Sequence, residues 1–246
     1  MRGTAKDRQI SIHDREMRHG RKSRSRTIEG YKRFIARELD HGLILGVTIQ
    51  PANQREHEAS GTLRTQVQRF GACNALYIDR GFLAGSWTAT AAANDVEVVC
   101  RPWRVTNGER FSKSDFDIDL DRGIVTCPEL HTAAIRRHTA RFAASDCGPC
   151  HRRERCTRAA APRGRTISIH AQEPLLQRLA VAKKTTEGRK KLRQRVPVEH
   201  SLAHICNRQG RRARYVGVDK NIFDLCRYAV IENLFAADRF ERARAA

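Results

Sequence analysis

Three acidic residues lie in sequence surroundings that suit metal-assisted chemistry on a phosphodiester. Asp14 ends residues 8–14, Asp79 ends residues 75–79, and Glu199 lies in a segment with helical spacing. The first two segments have the apolar content of short strands. Carboxylates that meet at two strand ends and one helix can hold two divalent cations about 3.5–4 Å apart, the arrangement that breaks and rejoins phosphodiesters. These three residues are therefore the candidate catalytic and metal-binding set.

Each acid also has a simpler explanation. Asp14 could end a strand or cap a turn, and Asp79 precedes Arg80 and Gly81, which are typical of a turn or a helix start. Glu199 has apolar neighbours, where a carboxylate is costly unless it is paired or bound to a metal. Arg195 precedes Glu199 by four residues, so the two side chains share one face of a regular helix.

The charge balance predicts a nucleic-acid partner. The chain has 246 residues, with 47 Lys and Arg against 27 Asp and Glu, which gives a formal net charge of +20. Such an excess attracts nucleic acid or an anionic membrane surface. No apolar run is long enough to span a membrane, and the N-terminal residues do not form a secretory signal. We therefore expect double-stranded DNA as the partner and the reducing cytoplasm as the location. In that location the eight cysteines are expected to be free thiols or metal ligands, because disulfides are rare there.

Basic residues occur in two runs that could contact DNA phosphates. The candidate DNA-binding residues are Arg21, Lys22, Arg208, Arg211, Arg212 and Arg214. Phosphate contacts of this kind position DNA without determining sequence preference. A plain role in solubility is the alternative for any single residue among them.

Hydrophobic periodicity predicts a mixed α/β order in the first hundred residues. Predicted strands cover residues 31–39 and 43–50, and the turn residues 40–42 between them predict a hairpin. Further strands are predicted at residues 75–78 and 96–100, and helices at residues 56–70 and after Gly81. The last part of the chain is predicted to be helical, with one helix from Pro197 to near Gly210 and another over residues 221–239. We expect residues 1–100 and 171–246 to form one core, with residues 101–170 inserted between them.

The predicted insertion has an alternating and then a cysteine-rich sequence. Acidic and apolar residues alternate over residues 115–121 before the turn at Arg122 and Gly123, which predicts a two-stranded hairpin with an acidic outer face. Cys127, Cys147, Cys150 and Cys156 follow and could provide a tetrahedral Zn2+ site. Redox chemistry, an iron–sulfur cluster and plain core thiols are the alternatives. Residues 166–170 are a further predicted strand in this region. The other cysteines lie in apolar patterns and are predicted to be buried.

An ordered set of short motifs resembles a known family. The motifs are Glu29-Gly-Tyr-Lys32, Gly42-Leu-Ile-Leu45, Thr48-Ile-Gln-Pro-Ala-Asn53, Ile78-Asp-Arg-Gly-Phe82, Val198-Glu-His-Ser-Leu-Ala-His204 and Arg208-Gln-Gly-Arg-Arg-Ala-Arg-Tyr215. Each motif alone is weak, but their order is similar to that of the C-terminal catalytic part of bacterial insertion-sequence transposases of the DDE type. The resemblance covers nearly the whole chain.

The resemblance carries specific expectations about fold and chemistry. It implies an α/β fold with a ribonuclease-H-like mixed sheet flanked by helices, here with an inserted cysteine-rich β-hairpin module. It implies two Mg2+ or Mn2+ ions, DNA cleavage and strand transfer at insertion-sequence ends. It makes Asp14, Asp79 and Glu199 the first, second and third acids, and it gives Arg195 the role of holding the acid or a DNA phosphate. Paired DNA ends suggest a homodimer.

Two other functions remain open at this point. One is a basic, zinc-containing DNA-binding protein without catalysis, and the other is a metal-dependent nuclease of the same fold. Related transposases normally carry an N-terminal helical DNA-binding domain, so we expect this chain to be an N-terminally truncated form. The expected location is the bacterial cytoplasm, in association with the nucleoid.

Overall fold

The chain divides into two compact units. A computed structural model describes residue 5 and residues 7–21, 25–210 and 212–245. Unit 1 consists of Met1–Arg101 and Lys183–Ala246, and unit 2 consists of Pro102–Ala182. The predicted insertion ended at residue 170, whereas unit 2 continues to Ala182. No helix in the described part of the chain has the length and apolar content needed to cross a membrane.

Both units combine strands with helices, as the sequence predicts. The strands are β1 (Arg18–Arg21), β2 (Thr27–Arg37), β3 (Ile44–Pro51), β4 (Ala75–Tyr77), β5 (Glu97–Val99), β6 (Asp117–Asp119), β7 (Ile124–Thr126), β8 (Thr132–Arg136), β9 (Thr139–Arg141) and β10 (Thr166–Ser168). The helices are α1 (Ser60–Val67), α2 (Ser86–Ala93), α3 (Ala144–Cys147), α4 (Arg153–Cys156), α5 (Glu173–Ala182), α6 (Thr186–Arg193), α7 (Val196–Gln209) and α8 (Val218–Ala245).

The predicted hairpin in unit 1 is confirmed. Strands β2 and β3 pair antiparallel from Tyr31 opposite Pro51 to Arg37 opposite Ile44. Glu38 closes the connection, because its carboxylate accepts hydrogen bonds from the backbone N–H groups of Asp40, His41 and Leu43. Short strand β1 pairs with the first part of β2.

Three helices complete the core around this hairpin. Residues of β3 pack against α7 and α8 in one cluster, which contains Ile44, Val47, Ile49, Ile205, Leu225 and Ala229. Phe34 of β2 packs instead against Ala59 and Leu63, next to and within α1. Pro197 lies in the first turn of α7, where the missing N–H is tolerated. The third predicted acid, Glu199, is thus placed one turn inside α7.

One sequence-based expectation about unit 1 is wrong, and another stays a prediction. Residues 8–14 form no strand, and their pairing is limited to one isolated bridge between Gln9 and Arg18. The reason is local, because the backbone N–H of Asp14 bonds to the Ser11 hydroxyl and Ile12 is 92% exposed. The described residues also form no single mixed sheet, since β1, β2 and β3 make one sheet and the parallel pair β4–β5 makes another. The ribonuclease-H-like assignment therefore stays a prediction.

Unit 2 contains more strand than the predicted hairpin. Strands β6 and β7 pair as the predicted antiparallel hairpin, and the strand predicted at residues 166–170 is β10. The unpredicted strands β8 and β9 join them in a five-stranded antiparallel sheet. Its core consists of Phe116, Val125, Ala133, Ala140, Phe142, Ile167 and Ile169. The buried residues of β8 and β9 are Ala133 and Ala140, so these strands have few of the large alternating side chains that predict a strand. The expectation of an inserted two-stranded hairpin is corrected accordingly.

Candidate active-site groove and nucleic-acid interface

A groove of about 970 Å³ lies in unit 1, and two of the three predicted acids line it. Its lining includes most of β2, all of β4 with the residues on either side of it, and one side of α7. Asp79, Arg195 and Glu199 belong to this lining. The structure therefore brings Asp79 and Glu199 to one open surface from distant parts of the sequence.

Asp79 lies where β4 ends and a short 3₁₀ turn begins. Its Oδ1 accepts a hydrogen bond of 2.7 Å from the backbone N–H of Arg80, so the side chain caps this turn. The apolar run before it forms β4, and Leu76 in that strand is buried. Asp79 itself is exposed and can be reached from solvent. Its capping role and a role in the groove are compatible, because the cap uses one carboxylate oxygen.

Glu199 is held by the arginine one turn before it. The Arg195 Nη2 donates to Glu199 Oε1, as the spacing of four residues predicts. The Glu199 side chain is 56% exposed, so the carboxylate does not carry the burial cost that its apolar neighbours suggested. The pair stabilises the helix little in solvent, and its main effect is to orient the carboxylate.

Asp14 has a different environment from the other two acids. It is buried, with 3% exposure, and is not among the residues that line the groove. Its carboxylate accepts hydrogen bonds from the Tyr31 hydroxyl at 2.8 Å and from the backbone N–H groups of Glu16 and Gly217 at 3.0 Å. Burial alone would raise the pKa of Asp14, but these hydrogen bonds outweigh it and hold the pKa below the ordinary value.

The predicted metal-binding trio is not assembled in this structure. Among residues 7–21, 25–210 and 212–245, no group of three or more His, Cys, Asp or Glu side chains could hold a metal ion. Asp79 and Glu199 offer carboxylate oxygens of the kind that Mg2+ prefers, but Asp14 is engaged elsewhere. The described residues thus do not form a ready two-cation site.

The predicted zinc ligands lie near one another in unit 2. Cys127, Cys147, Cys150 and Cys156 all line a cavity of about 20 Å³, room for roughly one water-sized atom. Burial raises the pKa of the Cys156 thiol, and the charges of the other three cysteines add to that effect, whereas Arg165 opposes it. These side chains are neighbours but, within the described residues, are not arranged as a metal-ligand set.

The predicted DNA-binding residues fall into three groups. Arg21, Arg212 and Arg214 are exposed. Lys22 and Arg211 lie outside the described residues. Arg208 forms an ion pair with the buried carboxylate of Glu232 at 3.1 Å, so its position is fixed by the packing of α7 on α8.

Sequence reasoning missed several polar residues of the groove. Lys32, Arg33 and Arg37 of β2 contribute to its lining, as do Tyr77 of β4 and Gln194 just before α7. The Tyr77 hydroxyl and Gln194 Oε1 are 2.6 Å apart, which joins two walls of the groove by a hydrogen bond. The three basic residues in one predicted strand are a signal that could have indicated a phosphate-binding role for β2. No signal in the sequence indicates that Tyr77 contacts Gln194.

Comparison with known protein families supports the resemblance. Residues 126–235 match the family model described as the transposase DDE domain. This match covers less than half of the chain and includes Glu199 and the basic loop after α7. It supports a DDE-type transposase catalytic region over those residues. Comparisons with curated proteins and with solved structures found no match.

Proposed function

We propose that this chain is a DNA transposase that cleaves DNA and transfers strands at insertion-sequence ends, with Asp79 and Glu199 as catalytic acids. The observation that carries the proposal is that Glu199, inside the region matched to the transposase DDE domain, shares one groove with Asp79. A strong positive charge and basic residues in the same groove favour DNA as the substrate.

The residues of the groove have separable roles in this proposal. Arg195 orients the Glu199 carboxylate, and the capped turn fixes the position of Asp79. Lys32 and the arginines of β2 attract the phosphate backbone by charge. Divalent ions, which DDE transposases generally use, would supply activation of the attacking oxygen and stabilisation of the leaving oxygen.

Nicking of supercoiled plasmid in the presence of Mn2+ tests the two acids. We expect Asp79→Asn and Glu199→Gln to reduce nicking by about 100-fold or more, because loss of even an outer-shell partner of a metal ligand costs about 10–100-fold. Glu187→Gln is the matched control, because it removes the same charge from an exposed position on α6 of the same unit. Equal nicking by all three variants and the wild type would refute the assignment of the acids.

A second assay separates the proposal from its rivals. Transposase activity predicts that an oligonucleotide with a 3′-hydroxyl end becomes joined to a target plasmid. A nuclease of the same fold would release nicked products without joining, and a non-catalytic DNA-binding protein would bind DNA and leave it intact. Light scattering with and without paired DNA ends tests the proposed homodimer.

A further inference from the structure

Two acidic residues near the start of the described chain hold the loop between α7 and α8. Asp14 Oδ2 accepts a hydrogen bond of 3.0 Å from the Gly217 backbone N–H, and Glu16 Oε2 accepts one of 2.6 Å from the Val218 backbone N–H. These contacts join residues more than 200 positions apart in sequence. They bring the segment that leads into β1 against the loop that leads into α8.

Both carboxylate oxygens of Asp14 accept hydrogen bonds within this arrangement. Oδ1 accepts from the Tyr31 hydroxyl and the Glu16 N–H, and Oδ2 accepts from the same hydroxyl and the Gly217 N–H. With 3% exposure, the carboxylate has little access to solvent or to a hydrated cation. Its partners are the donors expected for a structural anion.

The loop is also fixed from the side of α8. Asn221 Nδ2 donates hydrogen bonds of 2.6 Å to the carbonyl oxygens of Tyr215 and Gly217. Gly217 has a φ of +88°, and a Cβ at this position would lie 3.0 Å from Glu16 Oε2. The positive φ therefore favours glycine at this position.

The segments joined in this way are both basic and exposed. Arg15 and Arg21 lie on the segment that contains Asp14, and Arg212 and Arg214 lie on the loop. All four are exposed, as is Tyr215. Arginines from two segments held together can contact successive phosphates of one duplex, whereas a free loop would lose entropy on binding.

We propose that Asp14 is a positioning residue, and not a metal ligand, that holds these two basic segments together as one phosphate-binding face for duplex DNA. This inference rests on the proposed function for its DNA partner. It also gives Asp14, the first of the three predicted acids, a structural role that its hydrogen bonds support. Asp14 touches neither DNA nor metal in this role and acts through the loop that it anchors.

Two substitutions separate the acceptor role of Asp14 from its charge. Asp14→Ala and Asp14→Asn remove the same negative charge, but Asn keeps one acceptor oxygen for the Gly217 N–H. Loss of negative charge alone should tighten binding to DNA, whereas loss of the anchor should weaken it. Asp7→Asn is the matched control, since this exposed carboxylate bonds to Asn53 and lies in the same N-terminal segment.

Fluorescence anisotropy with a short labelled duplex at several salt concentrations gives the readout. For Asp14→Ala we expect affinity to fall about tenfold, and the slope of log K against log salt to become shallower by about 2, one for each of Arg212 and Arg214. Asp14→Asn should show a smaller change in the same direction, and Asp7→Asn should bind as tightly as the wild type or more tightly. Unchanged or tighter binding by Asp14→Ala with an unchanged slope would overturn the proposal.

The nicking assay distinguishes the positioning role from a metal-ligand role. If Asp14 is a positioning residue, Asp14→Ala and Asp14→Asn should keep kcat, measured at saturating DNA, within about twofold of the wild type and raise KM. If Asp14 is a metal ligand, both variants should lose kcat, as Asp79→Asn does. If the wild type does not nick DNA, the proposed function fails while the binding assay still decides this inference. If Asp14→Ala does not fold, Tyr31→Phe is the substitute variant, because it keeps the charge of Asp14 and removes one of its hydrogen-bond donors. This variant should also weaken DNA binding. Unchanged binding by Tyr31→Phe would overturn the proposal.

Discussion

The guanidinium of Arg208 lies 3.1 Å from the carboxylate of Glu232 and 4.5 Å from the centre of the Phe235 ring. Arg208 is on α7, and both partners are on α8. The Glu232 side chain is 7% exposed, and His204 approaches the same carboxylate at 3.7 Å. A nearly buried carboxylate needs such partners, because an unpaired charge away from water is costly. Arg208, predicted from the sequence to contact DNA, has a structural reason for its position.

We expect Arg208→Ala to destabilise unit 1 by about 2 kcal/mol, because it leaves the Glu232 carboxylate short of a partner. This is less than the cost of breaking a fully buried pair, since the Arg208 side chain is 40% exposed. Urea unfolding followed by circular dichroism measures the change. The salt dependence of DNA binding should stay close to that of the wild type.

Arg212→Ala provides the opposite pattern and serves as the control. Arg212 is exposed on the loop after α7. Its loss should leave the free energy of unfolding within about 0.5 kcal/mol of the wild type and make the salt slope shallower by about 1. Equal stability of Arg208→Ala and Arg212→Ala, together with equal salt slopes, would contradict the packing role of Arg208.

Glu38 gives unit 1 a specific dependence on acidity. Burial would raise the pKa of Glu38, but hydrogen bonds from the N–H groups of Leu43, His41 and Asp40 outweigh burial and lower the pKa below its ordinary value. A carboxyl group with a lowered folded-state pKa stabilises the fold at pH values above its unfolded pKa. That stabilisation is lost as pH falls through the folded pKa.

The difference in unfolding free energy between wild type and Glu38→Gln should therefore be constant from pH 6 to pH 8 and shrink as pH falls below about 4.5. Unfolding in urea at a series of pH values measures it. Asp40→Asn, an exposed substitution in the same turn, is the control and should show a smaller difference at neutral pH. A difference that grows on acidification would show that the turn is not held by the ionised carboxylate.

Local signals in the sequence were sufficient for part of unit 1. Turn residues between two apolar runs predicted the β2–β3 hairpin, and the position of Pro197 predicted the start of α7. The spacing of Arg195 and Glu199 predicted their contact, because residues four apart share a helix face. These features depend on interactions within a few turns or across one tight connection.

Long-range contacts explain what sequence reasoning missed. The surroundings of Asp14 depend on Tyr31 and Gly217, and nothing near residue 14 identifies either partner. The unpredicted strands β8 and β9 of unit 2 contain small residues that are buried because the neighbouring strands of the sheet cover them. The groove unites β2, β4 and α7, so its missed residues belong together through tertiary structure and not through spacing.

The four cysteines of unit 2 allow a direct test of the predicted zinc. They line one cavity that has room for a single small atom, and Zn2+ binding requires their sulfur atoms to approach a common point at about 2.3 Å. Elemental analysis of freshly purified protein tests this: a zinc site predicts about one zinc per chain, most of which Cys147→Ser would lose. Cys73→Ser is the control, because this thiol lies in unit 1 and bonds to the Ala75 carbonyl oxygen. Absence of zinc from the wild type, or equal zinc in both variants, would assign these thiols to packing around the core of unit 2.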